Sequence, residues 1–392
     1  MEGRKIKILR IINRFNIGGP TYNATFLTAF LGEEFETLLI GGLPEEGESD
    51  SLYITEKYGV KPLLLEELVR NPSISNDRKA YKRIKEIIKE YQPDIVHTHA
   101  SKAGALGRKA AHSSGVPVIV HTFHGHVFHS YFGKLKTKLF KSIERILAKK
   151  STGIIAISDK QKNELSEIHG ICPSDKIKVI QLGFDLKPFN DKRQNERATV
   201  RKELGLNSDE VAIAIVGRLA LIKDHGFFLE AIEGLLSQTS KAVKVFIVGD
   251  GDQRDWIQER VNQINSKFDD QIEMTSWIQD IGRFNAGMDL VCLTSKNEGT
   301  PVSLIEAQAG NIPVITTNVG GVQDIVQHEE TGIIIDQGNV HSYTEALREL
   351  VENEKKREKM SQNGWTFVED KFHYTTLVRN MESYYHELLG KS

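Results

Sequence analysis

The apolar positions of this chain fall into short continuous runs typical of buried strands, which alternate with longer stretches of helical spacing. In the first half of the chain the predicted strands are 7–12, 35–40, 94–98, 117–121 and 153–157. A second series of predicted strands is Val211–Val216, Val243–Val248, 272–274, Leu290–Leu293, 314–316 and Gly332–Ile335. Because such alternation indicates parallel sheets with crossover helices, we predict an α/β class with two Rossmann-like domains.

The domain boundaries follow from where the pattern weakens. The stretch after residue 186 is polar and charged with little apolar periodicity, which favours a linker. We therefore predict an N-terminal domain over 1–188, a linker over 189–208, a second domain over 209–372 and a C-terminal helix over 373–392.

Composition excludes several classes of protein. The 392 residues carry a net charge of −2, which argues against bulk nucleic-acid binding, and no apolar run approaches the length of a membrane span. The two cysteines, Cys172 and Cys292, lie far apart, and Cys292 falls in a predicted buried strand. With no signal-peptide pattern at the N-terminus, a reducing, cytoplasmic location is expected.

Two glutamates eight positions apart flank a predicted helix start. Glu298 follows the strand Leu290–Leu293, Pro301 suits the first turn of the next helix, and Glu306 lies within that helix. In open α/β sheets, ligands bind at this carboxyl end of the strands. A carboxylate accepts two hydrogen bonds and fits a vicinal diol. The pair is predicted to bind sugar or ribose hydroxyls, with two solvated acids as the alternative.

Two cations follow the strand Val211–Val216 and are predicted at the same edge of the sheet. Arg218 offers a planar fork for phosphate oxygens, and Lys223 offers a mobile point charge. Together they are predicted to hold a diphosphate, with ordinary solvated surface cations as the alternative.

A glycine pair ends the strand Val243–Val248. Gly249 and Gly251 match the start of a dinucleotide-binding pattern, but Arg254 replaces its third glycine. The pair is interpreted either as a tight turn near a nucleotide base or as a plain turn.

Seven of the 13 histidines fall between residues 97 and 129. A zinc site is one interpretation, but neither an H-E-x-x-H motif nor a nearby cysteine supports it, and no metal site is predicted. Four of these histidines are interpreted as residues that pack and bond to the backbone: His97, His99, His112 and His121.

The ordered set of motifs resembles the retaining nucleotide-sugar glycosyltransferases of family 4, which have the two-domain GT-B fold. The resemblance covers nearly the whole chain and rests on Gly18-Gly19, the histidine segment 121–126, Gly183-Phe184-Asp185 with Phe189, Gly217-Arg218 with Lys223, Gly249-Asp250-Gly251, and Glu298 with Glu306. Pro20-Thr21 follows the first glycine pair, where many members have a small residue and then an acidic one. This departure concerns contacts to the acceptor more than binding of the donor.

The resemblance implies two domains that face each other across a cleft. It implies a retaining transfer of a hexose or related sugar from a nucleoside-diphosphate sugar, with UDP favoured, to a glycan, lipid-linked or small-molecule acceptor. Its implied catalytic residues are Arg218, Lys223, Glu298 and His124, the last as a contact to the donor sugar. Its implied binding residues are Gly18, Gly19, Gly249, Gly251, Glu298, Gly299, Thr300, Pro301 and Glu306.

The expected mechanism is a front-face displacement without a covalent intermediate, because no carboxylate is well supported as a nucleophile. No cofactor or metal is expected, since the arginine and lysine can stabilise the leaving diphosphate. Three alternatives remain open: a sugar-nucleotide epimerase, a phosphorylase with a pyridoxal-linked lysine, and a non-catalytic sugar-nucleotide-binding scaffold.

A basic amphipathic segment is predicted at Lys134–Lys150. Residues 130–150 contain seven basic residues and one acid, Glu144. The apolar residues of this segment repeat at helical spacing: Leu135, Leu139, Ile143, Ile146 and Leu147. One interpretation is a helix that packs on the core and exposes a charged face; the other is peripheral contact with an anionic membrane.

Overall fold

The computed structural model describes residues 4–15, 19–43, 51–69, 73–124 and 134–390. It divides into two compact units. The first contains the described parts of Met1–Phe184 and His373–Ser392, and the second is Asp185–Phe372.

A parallel sheet forms the centre of the first unit, with seven strands among the described residues. These are β1 (Ile6–Arg14), β2 (Phe35–Gly42), β3 (Leu63–Leu64), β4 (Ile95–His99), β5 (Val118–Phe123), β6 (Gly153–Ala156) and β7 (Ile177–Val179). The intervening helices are α1 (Gly19–Ala29), α2 (Leu52–Lys57), α3 (Ile74–Tyr91), α4 (Ser101–Ser113), α5 (Lys134–Lys150) and α6 (Asp159–Asn163). The strand order β3-β2-β1-β4-β5-β6-β7 makes the connections reverse direction between β1 and β4.

The second unit repeats this plan around a six-stranded parallel sheet. Its strands are β8 (Val211–Val216), β9 (Val243–Val248), β10 (Ile272–Thr275), β11 (Leu290–Leu293), β12 (Val314–Thr317) and β13 (Gly332–Ile335). Its helices are α7 (Lys187–Glu203), α8 (His225–Gln238), α9 (Arg254–Asn265), α10 (Ile281–Ala286), α11 (Val302–Ala309), α12 (Val322–Ile325), α13 (Val340–Glu352) and α14 (Glu354–Phe372). The strand order β10-β9-β8-β11-β12-β13 places the reversal between β8 and β11.

The last helix, α15 (Tyr374–Leu388), packs in the first unit. Its apolar face, which includes Leu377, Met381 and Tyr385, joins a core cluster with Ile8 of β1 and Phe26 of α1.

The fold class of two Rossmann-like α/β domains is thus confirmed. The short strands β3 and β7 were not predicted, because two or three residues are too few to make a recognisable apolar pattern.

The stretch 189–208, predicted as a linker, instead contributes most of α7 to the second unit. Its side chains bind the residues that precede β11: Arg193 donates to the carbonyl of Met288 (2.6 Å), and Arg197 and Arg201 donate to the carboxylate of Asp289 at 2.5 and 2.9 Å. The helix is therefore held by arginines and not by an apolar stripe, which explains why apolar periodicity did not reveal it.

Helix α1 begins at the second glycine of the first glycine pair. Gly19 and Pro20 both lie in the first turn of the helix. Proline suits this place because its missing N–H has no partner to lose there. The other glycine of the pair, Gly18, lies outside the described residues.

Helix α5 exposes several apolar side chains and buries its acidic residue. Leu139 and Ile146 are 60% and 57% exposed and Ile143 is 38% exposed, while Glu144 is buried. Glu144 accepts a bond of 2.7 Å from Arg108, whose side chain is fully buried in α4. Of the two interpretations of this segment, the one in which its apolar residues pack on the core does not fit Leu139, Ile143 and Ile146, and Glu144 takes the inward position instead. Among the described residues, no helix is both long and apolar enough to cross a bilayer.

Candidate functional site in the second unit and a histidine cluster in the first

The loops after β8 and β11 lie side by side at the point where the second sheet reverses direction. The two strands pair in parallel, with Leu290 opposite Ile213 and Cys292 opposite Ile215, so both end at the same edge. Such a reversal opens a crevice outside the strand ends where ligands bind in α/β sheets. The sequence-predicted residues Arg218, Lys223 and Glu298 all follow these two strands.

Lys223 and Glu298 are in direct contact. The Nζ of Lys223 donates to Oε1 of Glu298 at 2.5 Å, and the hydroxyl of Ser295 donates to the same oxygen at 2.6 Å. The side chain of Glu298 is only 11% exposed and that of Lys223 is 23% exposed. Two donors thus hold one oxygen of the Glu298 carboxyl group, and no described residue bonds to its second oxygen.

Further bonds tie the two loops together. The hydroxyl of Thr294 donates to the carbonyls of Lys223 (3.0 Å) and Asp224 (3.2 Å). The backbone N–H of Lys296 donates to the carbonyl of Ile222 at 2.8 Å. These contacts fix the cation-bearing loop relative to the loop of Glu298.

A glycine pair after β12 supports the Glu298 loop, and the sequence analysis missed it. Gly320 has φ of +55°, and a Cβ there would overlap the carbonyl oxygen of Glu298. A Cβ at Gly321 would lie 2.5 Å from the carbonyl oxygen of Gly299. Only glycine fits this approach. Two successive glycines after a predicted strand were the available signal.

Arg218 differs from Lys223 because it is exposed and no described residue bonds to its guanidinium group. Gly249 and Gly251, which follow β9, lie close to the backbone of this loop. A Cβ at Gly249 would overlap the carbonyl of Gly217, and a Cβ at Gly251 would overlap that of Leu219. The glycine turn therefore lies beside the cation-bearing loop and allows the two backbones to approach closely.

Glu306 lies in the second turn of α11. The helix starts at Val302, one residue later than predicted, with Pro301 as its N-cap residue. Burial raises the pKa of Glu306 to about 8, and no described residue bonds to its carboxyl group. Thr300, Pro301 and Glu306 thus share one loop and helix with Glu298.

At the corresponding edge of the first unit, polar groups bond to one another. Arg10 is fully buried, and its Nη1 donates to Nδ1 of His97 at 2.9 Å. The hydroxyl of Tyr385 lies 2.7 Å from the same nitrogen, and Nε2 of His97 lies 2.7 Å from the hydroxyl of Thr122. Burial and the nearby charge of Arg10 hold the pKa of His97 well below its usual value.

His121 is likewise buried and bonds to the hydroxyl of Thr98 at 2.9 Å. The interpretation of His97, His99 and His121 as packed, hydrogen-bonded residues therefore agrees with the structure, although their partners are side chains and not the backbone. His112 does not fit it, because this residue is exposed near the end of α4.

His99 and His124 form a pair, with Nδ1 of His99 2.9 Å from Nε2 of His124. Burial lowers the pKa of His124 to about 3. Gly19 and His124 thus belong to the first unit, and the other described site residues to the second. Among the described residues, no group of three His, Cys, Asp or Glu side chains is arranged to hold a metal ion.

Two family models cover most of the chain. The model of Glycosyltransferase Family 4 matches residues 33–187, and that of Glycosyl transferases group 1 matches residues 196–366. Among curated relatives, the chain is 32% identical over 289 residues to the UDP-Gal:alpha-D-GlcNAc-diphosphoundecaprenol alpha-1,3-galactosyltransferase of Escherichia coli, covering 74% of each protein. It is 28% identical to the capsular polysaccharide biosynthesis glycosyltransferase CapM of Staphylococcus aureus, covering 82% of this chain and 84% of CapM.

Solved structures share the fold. A glycosyltransferase from Rickettsia africae superimposes with a TM-score of 0.79 at 20% identity, covering 99% of this chain and all of that one. HepE of Anabaena, solved in complex with UDP, also gives 0.79 at 18% identity, covering 97% of this chain and all of that one. The fold, both family models and the Escherichia coli relative agree, and the chain therefore belongs to the family 4 glycosyltransferases of the GT-B type.

Proposed function

We propose that this glycosyltransferase moves a hexose or related sugar from a nucleoside-diphosphate sugar with retention of anomeric configuration. The observation that carries this proposal is the fixed carboxylate of Glu298 beside the cations of the β8 loop. Lys223 and Ser295 hold one oxygen of Glu298, which leaves the other for a sugar hydroxyl. Arg218 remains without a described partner at the same sheet reversal, and its fork suits a diphosphate.

In the proposed reaction, Arg218 and Lys223 stabilise negative charge as it grows on the leaving diphosphate. An ammonium group has three donors, so Lys223 can keep its bond to Glu298 and still donate to a phosphate oxygen. The N-terminus of α11, after Thr300 and Pro301, adds free N–H groups at the same place. No metal or other cofactor is needed for this charge stabilisation, and Gly249, Gly251 and Gly299 allow close approach of the backbone in the second unit. Gly19 is proposed to do the same in the first unit, while Gly18 lies outside the described residues.

Glu306 is proposed to bind the ribose diol, and His124 a hydroxyl of the donor sugar. The absence of a described partner for the Glu306 carboxyl supports the first role. We favour a front-face displacement, in which the acceptor oxygen bonds to the anomeric carbon as the bond to the diphosphate breaks. The acceptor proton passes to the departing phosphate oxygen.

We favour uridine as the base and a glycan or lipid-linked molecule as the acceptor. The relative in Escherichia coli is named for a UDP-galactose donor and a diphosphoundecaprenol acceptor, and HepE of Anabaena was solved with UDP. These names support the choice of probes for this chain.

The test is a product assay with UDP-hexoses and a lipid-diphosphate sugar acceptor, read by nuclear magnetic resonance of the new anomeric centre. We expect a product with the configuration of the donor. Inversion would contradict the mechanism. Epimerised donor formed without acceptor would favour the epimerase, and the absence of both transfer and donor hydrolysis would favour a non-catalytic scaffold.

Titration calorimetry tests the ribose role of Glu306. With a pKa of about 8, the carboxyl group of Glu306 is largely protonated at neutral pH. A neutral hydrogen bond contributes about 0.5–1.5 kcal/mol, so the loss of two bonds to the diol in Glu306→Ala is expected to raise the Kd for UDP about tenfold or more. Glu358→Ala is the control, because Glu358 is an exposed acid in α14, away from the loops that follow β8, β9 and β11. An unchanged Kd in the Glu306 variant would refute the role.

We further propose that α5 contacts the anionic surface of a membrane, on the cytoplasmic side, when the acceptor is lipid-linked. Its exposed residues Leu139, Ile143 and Ile146 are four and three positions apart and lie on one side of the helix. The only acid, Glu144, is turned inward, so that exposed lysines and apolar side chains face outward together. That combination suits an interfacial helix.

Co-sedimentation with anionic vesicles at low salt tests this contact. We expect wild type to sediment, and both the triple change of Leu139, Ile143 and Ile146 to Ser and a quadruple Lys→Glu variant of α5 to stay in solution. Ile74→Ser with Ile168→Ser is the matched control, because both residues are also exposed, at 78% and 60%, but lie outside α5. Equal recovery of all variants would contradict the proposal.

A further inference from the structure

The backbone next to Lys223 has a conformation that is uncommon for a residue with a side chain. Lys223 ends a 3₁₀ turn, Leu221–Lys223, and the following residue, Asp224, has φ of +49° and ψ of +52°. This left-handed conformation costs free energy and persists only where the surrounding structure holds it. Such strain is concentrated at functional sites. Here the strained residue directly follows one of the two cations proposed to stabilise the diphosphate.

A buried hydroxyl group from the neighbouring strand holds this turn. Thr294 directly follows β11 and is only 2% exposed. Its Oγ1 donates to the carbonyl oxygens of both Lys223 (3.0 Å) and Asp224 (3.2 Å). Because a hydroxyl has a single donor proton, the two carbonyls share it, which requires both to be directed towards the same point. The contact therefore depends on the conformation of Asp224.

The side chain of Asp224 takes part in the same connection between the two loops. Aspartate at the N-terminus of a helix ordinarily accepts a bond from an N–H of the first turn, but Asp224 makes no such bond in α8. Its Oδ2 instead lies 3.2 Å from Nζ of Lys296, on the loop of Glu298. Since the side chain of Lys296 is half exposed, this ion pair contributes little stability. The buried hydroxyl of Thr294 is expected to hold the turn more strongly.

Successive residues after β11 therefore hold the two halves of one ion pair. Ser295 donates to Oε1 of Glu298 at 2.6 Å, and Nζ of Lys223 donates to the same oxygen at 2.5 Å. Thr294 holds the backbone from which Lys223 extends. A shift of that backbone would move the ammonium group away from Glu298 and from the proposed place of the diphosphate. Small misplacements of such groups lower turnover strongly.

We propose that Thr294 is a positioning residue, whose hydroxyl holds the left-handed turn at Asp224 and so places the ammonium group of Lys223 for the leaving diphosphate. The role of Lys223 in this inference rests on the proposed function. Thr294 itself touches no substrate in this arrangement and acts through Lys223.

Steady-state kinetics of Thr294→Val test the role, because valine keeps the shape of threonine without its hydroxyl. We expect kcat to fall about tenfold with little change in the KM for the donor, and Thr294→Ser, which keeps the hydroxyl, to stay within about threefold of wild type. Thr344→Val is the matched control, since this buried threonine of α13 also bonds to two carbonyls, those of Val340 (3.0 Å) and Ala231 (3.4 Å). Normal kcat in Thr294→Val, or an equal loss in Thr344→Val, would overturn the proposal.

A double variant separates positioning from a general structural effect. If Thr294 acts through Lys223, Thr294→Val should lower kcat by less than about twofold in a Lys223→Ala background, because the group to be positioned is gone. The same fall in kcat in both backgrounds would overturn the proposal.

The single Lys223→Ala variant distinguishes failure of this inference from failure of the proposed function. If Lys223→Ala leaves kcat unchanged, the proposed role of Lys223 is wrong, and the positioning role falls with it. If Lys223→Ala lowers kcat but Thr294→Val does not, the role of Lys223 stands and that of Thr294 is wrong.

Two substitutions of Asp224 decide the question should Thr294→Val unfold, as judged by circular dichroism. Glycine adopts a positive φ freely, whereas β-branched valine does not. Asp224→Gly is expected to keep kcat within about threefold of wild type, and Asp224→Val to lower it about tenfold. The same two substitutions at Gln92, which has φ of +52° at the end of α3 in the first unit, should change stability alone. Equal kcat values in the two Asp224 variants would overturn the proposal.

Discussion

The two sheets of this protein reverse direction at equivalent places, between β1 and β4 in the first unit and between β8 and β11 in the second. The polar groups at these places behave differently. In the first unit, Arg10 and His97 are buried and bond to protein groups on most sides. In the second, Arg218 is exposed without a described partner, and Glu306 has a carboxyl group that no described residue binds.

This difference provides a criterion that separates structural residues from binding residues at the same topological position. A polar group whose bonds are completed within the protein stabilises the fold, and its removal should be felt in stability. A polar group held in place by neighbours but left with an unused donor or acceptor is ready for a ligand, and its removal should be felt in binding or turnover. The variants below test this separation.

The largest effect is expected at Arg218. Its charge faces the diphosphate most strongly as the bond breaks, so Arg218→Ala should lower kcat about 10²–10³-fold and leave the melting temperature nearly unchanged. Lys241→Ala is the matched control, because Lys241 is also an exposed cation but precedes β9 at the opposite edge of the sheet. Steady-state kinetics with normal turnover in Arg218→Ala would remove the residue from the site.

Asp289, which immediately precedes β11, should give the largest loss of stability. Burial alone raises the pKa of its carboxyl group, but Arg197 and Arg201 lower it overall. Its contribution to stability is therefore present above the ordinary pKa of an aspartate and is lost as the pH falls below it. At pH 7, Asp289→Ala should cost about 3 kcal/mol, since it leaves two arginines without their partner.

Urea denaturation measures this loss. Glu196→Ala provides the control, because its ion pair with Arg283 (2.9 Å) is about one-third exposed on both sides and should contribute less than about 1 kcal/mol. Similar losses in the Asp289 and Glu196 variants would show that α7 is not anchored by the buried arginine contacts.

The pH dependence of stability due to Glu306 should be opposite to that due to Asp289. Because burial raises its pKa to about 8, the folded protein binds this proton more tightly than the unfolded chain. The free energy of unfolding is therefore not reduced by this group below the ordinary pKa of a glutamate, and it decreases as the pH rises from there towards 8. Glu306→Gln removes that loss and should stabilise the protein by about 1–3 kcal/mol at pH 8, with one pKa unit equal to about 1.4 kcal/mol. Thermal denaturation at pH 5 and pH 8 checks it, and an equal gain at both values would contradict the cause.

The smallest effect is expected in the first unit. Tyr385→Phe removes the hydroxyl 2.7 Å from His97, but Arg10 still donates to the same nitrogen. We expect a loss of about 1 kcal/mol in stability and unchanged kcat. A clear fall in kcat would show that the buried hydrogen bonds of His97 also contribute to catalysis.

Much of the fold was predictable because long buried strands leave continuous apolar runs. Val211–Val216, Val243–Val248 and Leu290–Leu293 were predicted with the bounds that the structure has. Helix α7 was missed because arginine bonds to carbonyl groups have no apolar signature. The sequence left two interpretations of α5 open, because the ion pair that turns Glu144 inward depends on a residue 36 positions away.

The site was predictable as a set of residues at one edge but not as a geometry. The sequence placed Lys223 and Glu298 after two strands, yet their direct bond depends on those strands being neighbours in the sheet. The two glycines after β12 are visible in the sequence, but their contact with Glu298 is not, because it requires knowing that the loop after β12 passes behind Glu298. The contact of His99 with His124 likewise depends on the neighbouring places of β4 and β5.

The packing of α15 has a consequence for how the protein is made. Its residues complete the core around Ile8 and Phe26, although they are the last part of the described chain to leave the ribosome. Part of the apolar core of the first unit therefore stays uncovered until the whole of the second unit has been synthesised. Nascent chains lacking this helix should be prone to capture by chaperones or to aggregation, so a C-terminal truncation would damage the half of the molecule that is translated first.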